Sequence, residues 1–173
     1  MSFGNRIPRG ILAGFCATIV LSICMWIKHA AGIVPQANAI QALVKVSTLW
    51  LSAPLTPWVG WAEHFFIGTL VWGIVFVLVE PWLAGPRWLR GIEFSIGPWI
   101  LMMVLLMPPA GAGWFGANLG YGAPLAALVL HIIYGFSLGA IYGALVPSAE
   151  ISRSERTPGP GAPARSEHLH HTP

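Results

Sequence analysis

The sequence contains no aspartate and few charges of either sign, although it is 173 residues long. Asp, Glu, Lys and Arg make up 9% of it, whereas a soluble domain carries roughly 25%. Such a chain lacks the polar side chains to cover a water-facing surface, so we expect it to lie in membrane lipid. The absence of Asp also excludes aspartyl dyads, Ser-His-Asp triads and Asp-rich magnesium sites.

Cysteine is scarce as well and supplies neither a disulfide nor a redox motif. Cys16 and Cys24 lie in one apolar run, and a helix would hold them roughly 12 Å apart, which is too far for a disulfide. The sequence has no Cys-x-x-Cys pair, no phosphate-binding glycine loop and no convincing nucleophile–base pair. We therefore predict that the protein is not an enzyme. The net charge of +3 is too small and too dispersed to indicate a nucleic-acid partner.

Long apolar runs are abundant, and four of them approach the length of about 20 residues that a helix needs to cross a bilayer. They cover about residues 10–30, 58–79, 91–107 and 123–146. The predicted fold is an all-α, polytopic transmembrane four-helix bundle formed by residues 1–146. The first run is too long for a cleavable signal peptide and is expected to act as a signal anchor. Residues 147–173 are polar and rich in Pro and Gly, which predicts a disordered cytoplasmic tail.

Basic residues indicate the direction in which the four helices cross. Seven of the nine Lys and Arg fall on one side of the predicted bundle: Arg6, Arg9, Arg87, Arg90, Arg153, Arg156 and Arg165. The positive-inside rule places this side, and both termini, in the cytoplasm. The expected location is the bacterial inner membrane, with membrane lipid as a partner.

Two segments on the opposite side are predicted to stay outside the bilayer. The stretch "PQANAIQALVKVSTLWLSAP" is too polar to cross, and Ile40, Leu43, Val44 and Trp50 would form one face of a short surface helix. The stretch "GAGWFGANLGYGAP" is rich in glycine and uncharged, which predicts a tight loop.

Short matches between the two halves of the chain indicate an internal repeat. "RGILAGF" opens the first run at Arg9, and "RGIEFSI" opens the third at Arg90. His64 and Gly68 correspond in the same way to His131 and Gly135. Since each unit crosses the membrane twice, the predicted architecture is two parallel repeats of a two-helix hairpin. The two histidines would then lie at similar depths.

Four stretches carry a resemblance to a known group of proteins: "AGFCATIVLSICMWIKHAAGIVPQ", "HFFIGTLVWGIVFVL", "GIEFSIGPWILMMVLLMPPAGAGWFG" and "LVLHIIYGFSLGAIYG". With them the chain resembles an uncharacterised family of small bacterial four-helix integral membrane proteins, over roughly residues 9–146. The resemblance implies a location and an architecture. It implies no activity.

Small residues lie four positions from each histidine and continue along the same helical faces. They are Gly60 and Gly68 around His64, and Gly135, Gly139 and Gly143 after His131. Helices in lipid associate through such faces, because the hydrophobic effect does not drive them together. The favoured function is therefore a non-catalytic membrane component or accessory subunit, packing as a homo-oligomer or within a larger membrane complex.

Two alternatives assign the histidines a chemical role. In the first, His64 and His131 supply both axial ligands of a haem-type tetrapyrrole, and the glycines leave room for the ring. In the second, Lys28, His29, Glu63, His64 and His131 form a polar cluster that belongs to a small permease or a proton path. Lys28 and Glu63 would pair within this cluster. Another acidic residue, Glu93, is expected to pair with Arg90 or Arg87.

The end of the tail is a further histidine-rich stretch. "EHLHH" contains Glu167, His168, His170 and His171. Such tracts can capture metal ions, but without a fold to hold the ligands we expect no dedicated metal site.

Overall fold

The prediction of an all-helical protein is confirmed by the computed structural model, which describes residues 3–146. Within that range there is no strand. The predicted disordered tail at 147–173 lies outside the described residues, and so do its histidines and the last three arginines.

Besides a short 3₁₀ helix at Trp114–Leu119, the described chain contains five helices. They are α1 (Phe3–Ala30), α2 (Ala39–Leu51), α3 (Pro57–Trp82), α4 (Arg87–Leu106) and α5 (Gly122–Leu145). All except α2 are long and apolar enough to cross a membrane. Two of the long helices contain a wider π turn, at Ile67–Val71 in α3 and at Met102–Leu106 at the end of α4. The last turn of α3, Glu80–Trp82, is a 3₁₀ helix.

Local signals explain where these helices start. Pro57 occupies the first turn of α3, where its missing N–H costs no hydrogen bond. The carbonyl of Pro86 accepts from the N–H groups of Leu89 and Arg90 at 2.9 and 3.1 Å. As a result α4 begins at Arg87 rather than near the predicted residue 91.

The long helices pack in the order α3, α1, α5, α4, and the α1–α3 and α4–α5 pairs touch along glycines. Between α1 and α3, a Cβ placed on Gly73 would lie 2.7 Å from the carbonyl oxygen of Gly10. Between α4 and α5, a Cβ on Gly91 would overlap the carbonyl of Gly135. Only glycine permits backbones to approach this closely.

One half of the bundle has a dense aromatic core; we call it the Glu80 half. Phe76 lies edge-to-face against Phe94 and Tyr142, with ring centroids 5.3 and 5.4 Å apart. Leu138 is fully buried beside them. This layer separates Glu80 from the other half of the molecule.

Glu80 is the centre of a charge cluster at the end of that half. Its side chain is 2% exposed, and its carboxylate accepts from Arg6 Nη2 at 2.7 Å and from Arg90 Nη1 at 2.6 Å. Arg87 Nε lies 3.7 Å away. The expected pairing of these arginines with Glu93 is wrong: Glu93 faces outward from α4, whereas the 3₁₀ turn brings Glu80 under the bundle between the arginines of α1 and α4.

Candidate functional site: a cavity beside two histidines

The opposite half of the bundle contains a partly open cavity of about 890 Å³, and we call it the cavity half. Its walls come from the end of α1, the first half of α3, the last turns of α4 and the first half of α5, and α2 lies across them. Ligand pockets typically measure about 300–1,000 Å³ and have mostly apolar walls with a few polar groups. This cavity has that size and that character.

The surface helix α2 forms where it was predicted and packs directly on α3. A Cβ on Gly60 would meet the carbonyl of Ile40 at 2.6 Å and the side chain of Val44 at 2.7 Å. Trp50, expected on the same face, is instead 63% exposed. Gly60 therefore permits the close contact between α3 and α2, which lines the cavity.

His64 is held on the cavity wall by a serine of α1. Its Nε2 lies 3.1 Å from Ser22 Oγ, and this hydroxyl donates its single proton to the carbonyl of Thr18 at 2.7 Å. The imidazole must then donate from Nε2, which leaves Nδ1 as an acceptor. The ring edges of Trp61 and Phe65 fix its orientation, with centroids 5.7 Å away.

His131 is held by its own helix. Its Nδ1 lies 2.8 Å from the carbonyl of Ala127, which can only accept, so Nδ1 carries the hydrogen. In the neutral imidazole Nε2 is then an acceptor. His131 and His64 both line the cavity.

Tyr134 completes this part of the wall, and the sequence analysis missed it. Its hydroxyl donates to the carbonyl of Gly68 at 2.7 Å, within the π turn of α3. It follows His131 by three residues and so lies on the same helical face. That spacing is the signal that could have identified it.

The predicted polar cluster is only partly brought together. Lys28, His29, His64 and His131 line the cavity, but Glu63 does not. The expected pairing of Lys28 with Glu63 is not formed, because the Lys28 ammonium caps the turn after α1. It donates to the carbonyls of Ile33, Val34 and Ala37 at 3.1, 3.1 and 3.0 Å.

An aromatic and aliphatic core lies between the cavity and Glu80. It includes Phe76, Phe94, Leu138 and Tyr142, and the Tyr142 hydroxyl accepts from Arg6 Nε at 3.0 Å. Among residues 3–146 no three His, Cys, Asp or Glu side chains are grouped as a metal ion would require.

The glycines singled out for packing contact other parts of the same chain. A Cβ on Gly68 would overlap Thr18 of α1, and one on Gly135 would lie 2.6 Å from Ser95 Cβ of α4. Gly139 and Gly143 adjoin the backbone and the side chain of Arg87. These small-residue faces are thus occupied inside a single molecule.

Comparison with known proteins identifies a family but no activity. A family of unknown function (DUF6789) matches residues 4–152, so the chain belongs to that family. No curated protein and no solved structure matches it.

Proposed function

We propose that this family member is a non-catalytic integral protein of the bacterial inner membrane that holds a lipophilic small molecule. The observation that carries the proposal is the cavity of about 890 Å³ between the apolar helices. Its wall combines aromatic rings with polar side chains that are fixed by hydrogen bonds to the protein. A wall of this kind can orient a bound molecule.

Copurification tests the proposal. The protein, extracted in mild detergent, should retain a molecule that solvent extraction and mass spectrometry detect. Ala126→Trp fills the cavity and should lose that molecule, whereas Leu125→Trp changes a neighbour outside the cavity and should keep it. Equal retention by both variants would count against the cavity as the site.

The proposed orientation places both termini in the cytoplasm. Arg6, Arg9, Arg87 and Arg90 all lie toward the Glu80 end, and the positive-inside rule makes that end cytoplasmic. A reporter that is active only outside the cytoplasm, fused after Pro147, should be silent. Strong activity of this fusion would reverse the orientation.

The two-hairpin repeat is also proposed, and one pair of contacts supports it. Gly14 of α1 packs against Gly68 of α3, and Ser95 of α4 packs against Gly135 of α5. Gly14 and Ser95 occupy equivalent positions in "RGILAGF" and "RGIEFSI", and Gly68 and Gly135 lie equally far after their histidines. Two copies of one hairpin would produce this correspondence.

A tetrapyrrole is the second candidate for the bound molecule. Histidines that ligate metals commonly donate their other ring N–H to a carbonyl, and His131 does so to Ala127. The iron of a haem would supply a Lewis-acid centre for His131 Nε2. A Soret band in the purified protein, lost in His64→Ala and His131→Ala, would support this candidate, and colourless protein that retains a lipophilic molecule would contradict it.

Self-association stays a prediction and would need a surface other than the glycine faces. The outside of the bundle carries large apolar side chains, among them Leu12, Phe15, Ile19 and Phe136. Such side chains suit lipid or a neighbouring helix. Oligomer size in detergent tests the prediction.

A further inference from the structure

Three polar side chains on the cavity wall already commit their hydrogens to the protein. His131 donates from Nδ1 to Ala127, Tyr134 donates to Gly68, and His64 donates to Ser22. What these three side chains still offer is a set of lone pairs: His131 Nε2, His64 Nδ1 and the tyrosine oxygen. They can accept hydrogen bonds from a ligand but have no hydrogen left to donate.

We propose that the molecule held in the cavity is a phenol or hydroquinone with an apolar tail, whose hydroxyl donates to His131 Nε2. This inference rests on the proposed function and specifies the ligand class. A hydroxyl satisfies an acceptor that would otherwise stay unpaired in an apolar cavity, at a cost in free energy. The carbonyl of the corresponding quinone has no proton to donate and leaves His131 Nε2 unsatisfied.

The shape of the wall suits the rest of such a molecule. Trp61 and Trp72 line the cavity together with the histidines, and their flat faces can pack against an aromatic ring. The cavity is partly open, and Leu101 and Leu105 of α4 line it and are 42% and 56% exposed. An apolar tail can therefore leave the cavity beside α4 and continue into lipid.

The test compares two ligands of nearly equal shape. Para-nonylphenol carries the hydroxyl, and para-nonylanisole is its methyl ether and has no hydrogen to donate. Each is titrated calorimetrically into nanodiscs with and without the protein, so that partition into lipid is subtracted. We expect the phenol to bind at least about tenfold more tightly, because sites that bind a hydroxyl discriminate against analogues that lack it.

Two variants assign the effect to one histidine. In His131→Leu the preference for the phenol should disappear, since no acceptor remains. In Val129→Leu it should persist, because Val129 is exposed on α5 and does not line the cavity. A preference that survives in His131→Leu would overturn the assignment. The comparison of the two ligands in the unaltered protein does not depend on how either variant folds.

The remaining outcomes separate this inference from the proposed function. Equal affinity for phenol and ether, with both blocked by Ala126→Trp, would overturn the ligand class while the cavity remained a binding site. If neither ligand gave more heat with protein-containing nanodiscs than with empty ones, both the ligand class and the proposed function would be overturned. A Soret band in the purified protein would replace the hydroquinone by a tetrapyrrole.

Discussion

The helices touch along their backbones around Glu80, whereas around His64 and His131 they line a partly open cavity. The Glu80 half is joined by a buried carboxylate and three arginines drawn from α1 and α4. The cavity half is joined by single hydrogen bonds between neutral groups, such as that of His64 with Ser22. One half therefore resists separation of its helices, and the other has room to admit a molecule.

The two glycines of α4 lie on different faces of the helix. Gly91 faces α5, and an added Cβ there would overlap the backbone of α5. Gly97 lies four residues after the exposed Glu93 and shares its outward face, where an added Cβ would meet nothing within 4 Å. Gly91 is therefore part of the contact between α4 and α5, and Gly97 is not.

The largest expected effect is the loss of the Glu80 carboxylate. Glu80→Gln leaves three arginines without their shared counter-charge, and breaking a buried ion pair typically costs about 3–5 kcal/mol of stability. The measurement is the free energy of unfolding in mixed micelles, followed by tryptophan fluorescence. Glu93→Gln is the matched control, because Glu93 is exposed on α4 and exposed substitutions usually change stability by less than about 0.5 kcal/mol. Equal losses of stability in the two variants would show that the charge cluster around Glu80 does not stabilise this half of the bundle.

The next effect concerns the glycine contacts. Gly91→Leu and Gly135→Leu place a branched side chain against backbone, and overpacking of this kind costs about 1–3 kcal/mol. Gly97→Leu adds the same side chain in open space and should leave stability nearly unchanged. Gly135→Leu and Gly68→Leu should also disrupt the fold more than His131→Ala and His64→Ala do. Leucine variants as stable as the parent would contradict the backbone contacts.

A structural feature could be predicted when the sequence pattern behind it lies within the same segment. The helices were predictable because an apolar run and a proline determine the structure of the segment in which they lie. The partner of Arg87 was not: Glu80 and Glu93 are similarly near in sequence, and the 3₁₀ turn at the end of α3 decides between them. The role of Lys28 was missed for a related reason, because its acceptors are carbonyls of a turn whose path the side-chain pattern does not reveal.

The candidate site was predictable in its centre and not in its surroundings. His64 and His131 stood out because ionisable groups are rare in apolar helices. The cavity beside them is lined by parts of α1, α3, α4 and α5 and by α2, which contacts α3 at Gly60. These contacts arise from the packing of distant segments. The repeat of His-x-x-x-Gly predicted similar depths for the two histidines, but it did not predict their hydrogen bonds, which differ.

A smaller effect is expected at Tyr134. Tyr134→Phe removes the hydroxyl that bonds to Gly68 and leaves a buried carbonyl with one partner fewer, and we expect a loss of about 1 kcal/mol. Tyr121→Phe is the control, because Tyr121 is 99% exposed and its hydroxyl should contribute little to stability. The free energy of unfolding is measured as for Glu80. Indistinguishable values for the two variants would show that the π turn does not depend on Tyr134.

The smallest expected effect isolates the bond between α1 and His64. Ser22 and Ser137 each donate to the carbonyl four residues earlier in their own helix, but only Ser22 also accepts from a histidine of another helix. Ser22→Ala should therefore destabilise the protein more than Ser137→Ala, by about 0.6 kcal/mol, the average for hydrogen bonds between membrane helices.

The same pair of variants tests the cavity, because His64 freed from Ser22 regains a proton that it can donate to a ligand. Ser22→Ala should then bind para-nonylanisole more tightly than the parent does, while Ser137→Ala should not. If the two serine variants matched in both stability and ether binding, the hydrogen bond would not be what sets the orientation and tautomer of His64.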